Sequence, residues 1–340
     1  MENETVKHVV LAARPQGTPT LDTFAVREIP RGAPADGEVM IENLYISLDA
    51  GFRNWMDADS GDHILPAMEI DAPVMGLTLG RVIESRHPDF TEGELLMSRL
   101  AWEEVSITDA TDFLVRVPDE YDCPLSWHLG ILGDTGMSAY FGITDLGRPE
   151  PGQTVLVSAA GGAVGSVAGQ IARIHGARTV GIAGGADKCR RLIDELGYDD
   201  AIDRHGDDFD AELSRACPDG VDVYFDSVGG PMLEPVLDHI TVGARIVLCG
   251  SVATYNATEP VPGPSNLFSL VTNQARMEGF MTHLMHDRYP EARAQLLAWV
   301  EAGELTNNEH MLHGIENVPV AFCDLFAGRN FGKTVVSLVD

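Results

Sequence analysis

The sequence predicts an α/β protein, with a doubly wound parallel sheet following an irregular all-β domain. Three observations carry that expectation. From Gln153 onward, apolar runs and helical segments alternate every 20–25 residues or so (about one βαβ step each). Before Trp127, short apolar or β-branched runs are separated by Pro, Gly and Asp clusters. A glycine-rich turn joins the first apolar run of the alternating region to its first helix.

In the β-domain, residues 7–13, 23–28, 38–48, 80–85 and 113–117 read as strands. The texture changes near Trp127. Residues 129–147, LGILGDTGMSAYFGITDLG, space their apolar side chains as a helix does and end at Gly147. Strands are then predicted at 154–159, 179–183, 199–203, 221–228 and 244–250. Helices are predicted at 164–175, 187–196, 208–217 and 232–240, the first two closed by Gly176 and Gly197. Right-handed crossovers are the default between such strands. Residues 252–268 form a Pro-rich loop, and loops of that length inside a domain are often functional. Residues 277–284 read as a further strand and 289–302 as an amphipathic helix. Residues 333–339 form a β-like run that rejoins the first domain. The expected division is 1–128 with 305–340 for the β-domain, and 129–304 for the parallel-sheet domain.

Charge narrows the partners. The 340 residues carry 23 basic and 52 acidic side chains, a net charge of −29. A nucleic-acid or anionic-membrane binder needs a basic footprint, and none is visible. Lysine occurs only at Lys7, Lys188 and Lys333, which fits both concentrated salt and a G+C-rich coding bias. Five scattered cysteines form no CxxC pair and no disulfide framework, so a reduced, cytoplasmic setting is expected. The first residues lack the apolar core of a secretion signal. The uncharged stretch 151–172 contains four Gly and a strand-then-turn pattern, so it is not read as a membrane span.

The turn after the first parallel strand carries the chemistry. Ala160-Gly161-Gly162-Ala163-Val164-Gly165 follows G-x-G-x-x-G with Ala160 in the first place. Gly162 lets the backbone approach a pyrophosphate, and Gly165 lets the helix pack close to the strand. The helix N-terminus then offers N–H groups and a positive dipole end. The next strand ends Ala183-Gly184-Gly185, without the carboxylate that binds a ribose 2′-hydroxyl in NAD sites. Lys188, Arg190 and Arg191 follow, and Arg204 stands after the third strand. Bases without that acid suit the 2′-phosphate of NADP. No zinc-ligand spacing and no G-x-S-x-G elbow occur; His283 and His286 read as a surface pair.

With these residues in place, the chain resembles the zinc-independent medium-chain dehydrogenases/reductases. Within them it is similar to the leukotriene dehydrogenase and prostaglandin reductase branch, with its alkenal double-bond and curcumin reductases. The matching stretches are SLDAGFR (47–53), LGILGDTGMSAYFGI (129–143), VSAAGGAVGSVAGQIARIHGARTVGIAGGADKCR (157–190), VDVYFDSVGGPML (221–233), GARIVLCGSVATYN (243–256), ARMEGF (275–280) and GRNFGKTVV (328–336). Gly76-Leu77-Thr78 stands where zinc enzymes of the superfamily carry Gly-His-Glu.

The resemblance implies a GroES-like β-domain beside a Rossmann domain, NADPH as cofactor, a homodimer, and reduction of the C=C bond of enones or enals. It makes Tyr255 the candidate donor to the substrate carbonyl oxygen. It sets Cys249, Gly250, Ser251 and Phe280 along the nicotinamide and gives Asn330 a cofactor contact. Asn54 and Thr135 are further cleft candidates. Two departures bear on the substrate. Ser60-Gly61 lacks the Tyr often found there, and Asp134-Thr135 replaces a common Met-Pro. Asp134 would either select substrate polarity or cap a helix. A quinone oxidoreductase and a non-catalytic NADPH-binding protein are the competing readings.

Overall fold

The computed structural model describes residues 5–61, 64–118 and 121–339. They fold as two compact units. The first comprises residues 1–130, 310–329 and 334–340; the second comprises 131–309 and 330–333.

In the first unit β1 (Thr5–Leu11) and β2 (Phe24–Pro30) form an antiparallel ribbon. β3 (Val39–Ser47), β4 (Met75–Ser85), β5 (Leu95–Ala101), β6 (Val105–Thr108) and β7 (Leu114–Arg116) build the larger antiparallel sheet. Close packing fixes Gly76: a Cβ there would lie 2.4 Å from Trp102 Nε1. The Arg53 side chain of SLDAGFR is buried, donating to the Gly17 carbonyl and pairing with Asp57 at 2.8 Å. That arginine is an internal clamp of the first unit.

The second unit opens with α1 (Asp134–Phe141), which widens into a π turn over Gly142–Gly147. Then follow β8 (Thr154–Val157), α2 (Ala163–Ile174), β9 (Arg178–Ala183), α3 (Ala186–Leu196), β10 (Asp200–Asp203), α4 (Phe209–Ala216), β11 (Val221–Asp226), α5 (Leu233–Asp238) and β12 (Ile240–Leu248). Short α6 (Val252–Tyr255) and α7 (Phe268–Thr272) precede β13 (Arg276–Gly279) and α8 (Tyr289–Glu301). The sheet is parallel in the order β10-β9-β8-β11-β12-β13. This doubly wound order places a topological switch point between β8 and β11, where such sheets open a ligand crevice at their carboxyl ends. Glycines set the approach of α2: a Cβ on Gly169 would lie 2.0 Å from the Tyr198 ring, and the Tyr198 hydroxyl donates to Gly165 O at 2.7 Å.

The chain then returns to the first unit through β14 (Glu309–His313), α9 (Val318–Ala327) and β15 (Lys333–Ser337). The antiparallel sheet runs β14-β15-β3-β4-β5-β7, with β6 also on β3. Val335–Ser337 pair with β3, so the tail rejoins the first unit. Phe322 of α9 packs with its ring centroid 5.0 Å from Trp102 and 5.9 Å from Phe24, closing a core that also holds Val9, Leu11 and Ile46. Each such buried side chain contributes about 1.5–3 kcal/mol.

Mixed α/β architecture, with one parallel and one antiparallel sheet, agrees with the fold class read from sequence. Several details differ. Residues 305–309 and 330–333 pack in the second unit, because Thr306 exchanges two hydrogen bonds with Gln170 and Gly332 N–H donates to Gly161 O. The expected strand at 277–284 ends at Gly279; Thr282–Arg288 is a 3₁₀ turn instead, tied to α1 through Asp134. The loop at 252–268 begins with α6. β5, β6, β14 and α9 had no counterpart in the sequence reading.

Candidate active site

The carboxyl edge of the parallel sheet gathers all the candidate residues except Asn54, which sits in the first unit on the turn Ala50–Trp55. At the end of β8 the chain turns through Ala159, a non-glycine residue in the left-handed region with φ +47°. Ala160 is fully buried, and its N–H donates to Ile182 O at 3.0 Å. Its methyl is accommodated because Gly181 of β9 has no side chain: a Cβ there would come within 2.9 Å of it. This pairing explains how Ala160 can replace the first glycine of the motif.

Gly162 is the N-cap of α2, and Ala163, Val164 and Gly165 form its first turn. First-turn N–H groups have no intrahelical acceptor, so they face outward from the helix end. A Cβ on Gly165 would lie 2.4 Å from Ala159 O and 2.8 Å from Ala160 Cα, both backbone atoms that cannot yield. Gly332 docks on this turn in a parallel bridge with Gly162. Buried Asn330 donates to Gly332 O at 3.3 Å, bracing the docked segment. Next to it, the Phe331 ring carries the Arg191 guanidinium 3.7 Å from its centroid.

Cations cluster at the ends of β9 and β10. A Cβ on Gly184 would lie 3.1 Å from Arg204 Nε and 3.1 Å from His205 Nε2. Half-buried Lys188 has its ammonium pulled below the ordinary value, first by burial and then by the Arg204 and Arg191 charges. Arg190 pairs with Asp187 and Arg191 with Glu195. Asp203 is turned to the backbone, accepting from the N–H groups of Gly185 and His205. Grouped cations that lower one another's proton affinity favour an anion between them. The glycine cradle and this cluster fit a phosphate-bearing dinucleotide.

The other end of the edge is built differently. Tyr255, in α6, accepts a hydrogen bond from Ser251 N–H at 3.2 Å. Burial above all raises its phenol above the usual value. Its own hydrogen is given to no acceptor among the described residues, so the hydroxyl remains a donor for a ligand. Cys249, at the end of β12, has its thiol pushed up to about 12, by burial first and then by the Asp134 carboxylate; Ser227 and Ser138 oppose this by hydrogen bonding. Phe280 follows β13, its Cζ 3.0 Å from where a Cβ on Gly142 would be.

Asp134 is not a cap: the N-cap of α1 is Gly133. Its carboxylate accepts from the Thr282 hydroxyl and, at 3.5 Å, from the Tyr289 hydroxyl. Thr135 beside it is buried.

Sequence reasoning missed Asp226. This fully buried carboxylate at the end of β11 accepts from Ser158 Oγ, the Tyr224 hydroxyl, and the N–H groups of Val228 and Gly229, at 2.8–3.1 Å. It binds the turns after β8 and β11 together at the switch point. The signal was an acid closing the apolar run VDVYFD. His205 and the Phe331–Arg191 stack were also unforeseen. Among the described residues no group of three or more His, Cys, Asp or Glu is placed to hold a metal ion. No described helix is long and apolar enough to cross a membrane.

Comparison with known proteins gives consistent relatives. Residues 7–115 match a family model described as the N-terminal domain of oxidoreductase, and residues 163–299 one described as zinc-binding dehydrogenase. The chain is 38% identical over 336 residues to the NADPH-dependent curcumin reductase of Escherichia coli, covering 96% of this chain and 95% of that protein. To the NADP(+)-dependent 2-alkenal reductase of Nicotiana tabacum it is 37% identical over 342 residues, covering 98% of each. The crystal structure of CurA from Vibrio vulnificus in complex with NADPH superposes with a TM-score of 0.91 at 37% identity, over 98% of this chain and 99% of that one.

Proposed function

We propose, because the chain belongs to the medium-chain dehydrogenase/reductase family in its curcumin, alkenal and prostaglandin reductase branch, that it uses NADPH to reduce the C=C bond of α,β-unsaturated ketones and aldehydes. The observation that carries this reading is the Tyr255 hydroxyl, with its donor hydrogen uncommitted, on the same sheet edge as the glycine turn.

The N–H groups of Ala163, Val164 and Gly165 would hold the pyrophosphate. Arg204, over Gly184, and Lys188, against Gly161, would hold the 2′-phosphate; an ammonium and a guanidinium there favour NADPH over NADH. Cys249, Ser251, Phe280 and Asn330 would line the nicotinamide half. When bound, the cofactor supplies the hydride that goes to the β-carbon of the substrate. Tyr255 would donate to the carbonyl oxygen as negative charge builds there, an interaction stronger in the transition state than in the ground state. Its raised phenol affinity keeps that proton in place at neutral pH.

The test uses NADPH carrying deuterium at the nicotinamide C4 with pent-3-en-2-one, trans-2-hexenal and a benzoquinone. The expected product is the saturated ketone or aldehyde with deuterium on the β-carbon. Quinone turnover without reduction of any activated alkene would favour a quinone oxidoreductase, and NADPH binding without turnover a non-catalytic role.

A homodimer in the cytoplasm belongs to the same proposal. β13 is the outer strand of its sheet, and Phe268 (70% exposed), Val271 (65%) and Leu284 (78%) stand open near it in sequence. An edge strand beside exposed apolar side chains is an association surface. Phe268→Asp is expected to shift light scattering from dimer to monomer.

A further inference from the structure

The ring of Phe331 and the guanidinium stacked on it have no part in the reading above. The backbone of residues 330–333 is fixed on the glycine turn independently of that ring. Gly332 N–H donates to Gly161 O and Lys333 N–H to Asn308 O, both at 2.9 Å. Gly332 has φ +79°, and a Cβ there would lie 2.1 Å from Asn308 O, so only glycine lets the segment come this close. The Phe331 side chain is thereby buried against the turn. A Cβ on Gly161 would lie 3.3 Å from Phe331 Cδ2 and 3.5 Å from Lys188 Cδ, so the ring and the lysine stem meet over one glycine. The Arg191 guanidinium lies 3.7 Å from the ring centroid. Arg191 follows Lys188 by three positions in α3, so the two share a helix face. Glu195 takes one edge of the guanidinium, accepting from Nε at 2.6 Å and from Nη2 at 2.9 Å. Its Nη1 donates to no acceptor among the described residues.

We propose that Arg191 is a third ligand of the cofactor's 2′-phosphate, and that Phe331 is the positioning residue that holds it there. This rests on placing that phosphate at Lys188 and Arg204, and it adds a contact set by the tail of the chain. The Lys188 ammonium already feels the charges of both Arg204 and Arg191. An anion that meets the ammonium therefore lies in the field of both guanidiniums. An arginine on a free stem loses rotamer freedom when it binds an anion. Here the ring below and the carboxylate at one edge have removed that freedom beforehand. What remains open is one planar edge of N–H donors, the geometry that matches phosphate oxygens. The neighbouring Arg190 has neither constraint of this kind: it pairs with Asp187 one turn back and stacks on no ring among the described residues.

The test is calorimetric binding of 2′,5′-ADP and 5′-AMP, which differ only in the 2′-phosphate, in phosphate-free buffer. The ratio of their dissociation constants isolates that one group. Arg191→Gln is combined with Glu195→Gln, so that no carboxylate is left unpaired and the net charge stays the same. This pair of changes is expected to lower the preference for 2′,5′-ADP about tenfold. Phe331→Leu keeps an apolar side chain against Gly161 but removes the ring, and is expected to lower the preference about fivefold. Phe331→Tyr is expected to restore it. Adding Phe331→Leu to the Arg191 and Glu195 changes is expected to lower it no further, because the ring acts through the guanidinium. In the wild type, 2′,5′-ADP but not 5′-AMP is expected to shield Arg191 from phenylglyoxal, read by peptide mass spectrometry. If Phe331→Leu weakens both ligands alike, or both protect Arg191 equally, the proposal is overturned. If Lys188→Ala lowers the preference and the Arg191 and Phe331 changes leave it intact, the phosphate site stands without them and the proposal falls alone. If Lys188→Ala leaves it intact as well, the phosphate binds elsewhere and both readings fall.

Discussion

The two ends of one sheet edge are chemically opposite. At the β9–β10 end, Arg204 and His205 lie over Gly184, Lys188 lies against Gly161 near the stacked Arg191, and Asp203 is turned to backbone N–H groups. At the β12–β13 end stand a phenol, a thiol held protonated, an aromatic ring and one carboxylate, Asp134. The difference teaches that a chain of net charge −29 can still gather cations and helix N–H groups at one end of a sheet edge while the other end carries none of those bases. Asp226 stands between the two ends and joins the turns after β8 and β11.

Breaking the cradle should have the largest effect. Gly165→Val would drive a side chain into Ala159 O and Ala160 Cα. NADPH affinity by fluorescence titration is expected to fall about a thousandfold, the loss of two charge-assisted hydrogen bonds. Tyr255→Phe comes next and touches only the other end. Removing a donor to developing negative charge should lower kcat about a hundredfold with the NADPH dissociation constant unchanged; an unchanged kcat would remove Tyr255 from the mechanism. Asp226→Ala should act on both ends together. It strands two hydroxyls and two N–H groups, and a urea unfolding midpoint should report a loss of about 2–4 kcal/mol. Lys188→Ala should weaken NADPH about thirtyfold and NADH hardly at all; equal effects would show that Lys188 meets no phosphate.

The smallest effect sharpens the contrast by its absence. A thiol raised to about 12 keeps its proton at pH 9, where an ordinary thiol is half ionised. Iodoacetamide at pH 9, followed by peptide mass spectrometry, should therefore leave Cys249 unmodified. The raised value also sets a sign for stability: the thiol favours the folded state below its unfolded pKa, and this is lost as pH climbs towards 12.

What the sequence made legible was local. The glycine turn, the missing acid after β9 and the bases that follow are contiguous in the chain, and the structure groups them as neighbours of one turn. Strand and helix alternation gave the parallel sheet because both faces of β8 and β11 are buried and read as unbroken apolar runs. The antiparallel unit was harder. β5 carries Ser98 and Arg99 at its centre, the serine fully buried and the arginine paired with Asp112, so it lacks a strand's alternation. Asp134 was ambiguous for a different reason: its partners lie 148 and 155 residues away, and no local pattern names them. Asp226 was hidden likewise, since Ser158 reaches it from 68 residues upstream.

The division of the edge is tested most directly by a double-mutant cycle of Lys188→Ala and Tyr255→Phe, reading the NADPH dissociation constant and kcat at saturating NADPH for a neutral enone. The account expects each substitution to move one quantity alone, Lys188→Ala the binding and Tyr255→Phe the turnover, with the double variant showing both effects at full size and no coupling beyond about 0.5 kcal/mol. A Lys188→Ala protein that binds NADPH normally but turns over slowly, or a Tyr255→Phe protein that loses NADPH, would contradict it.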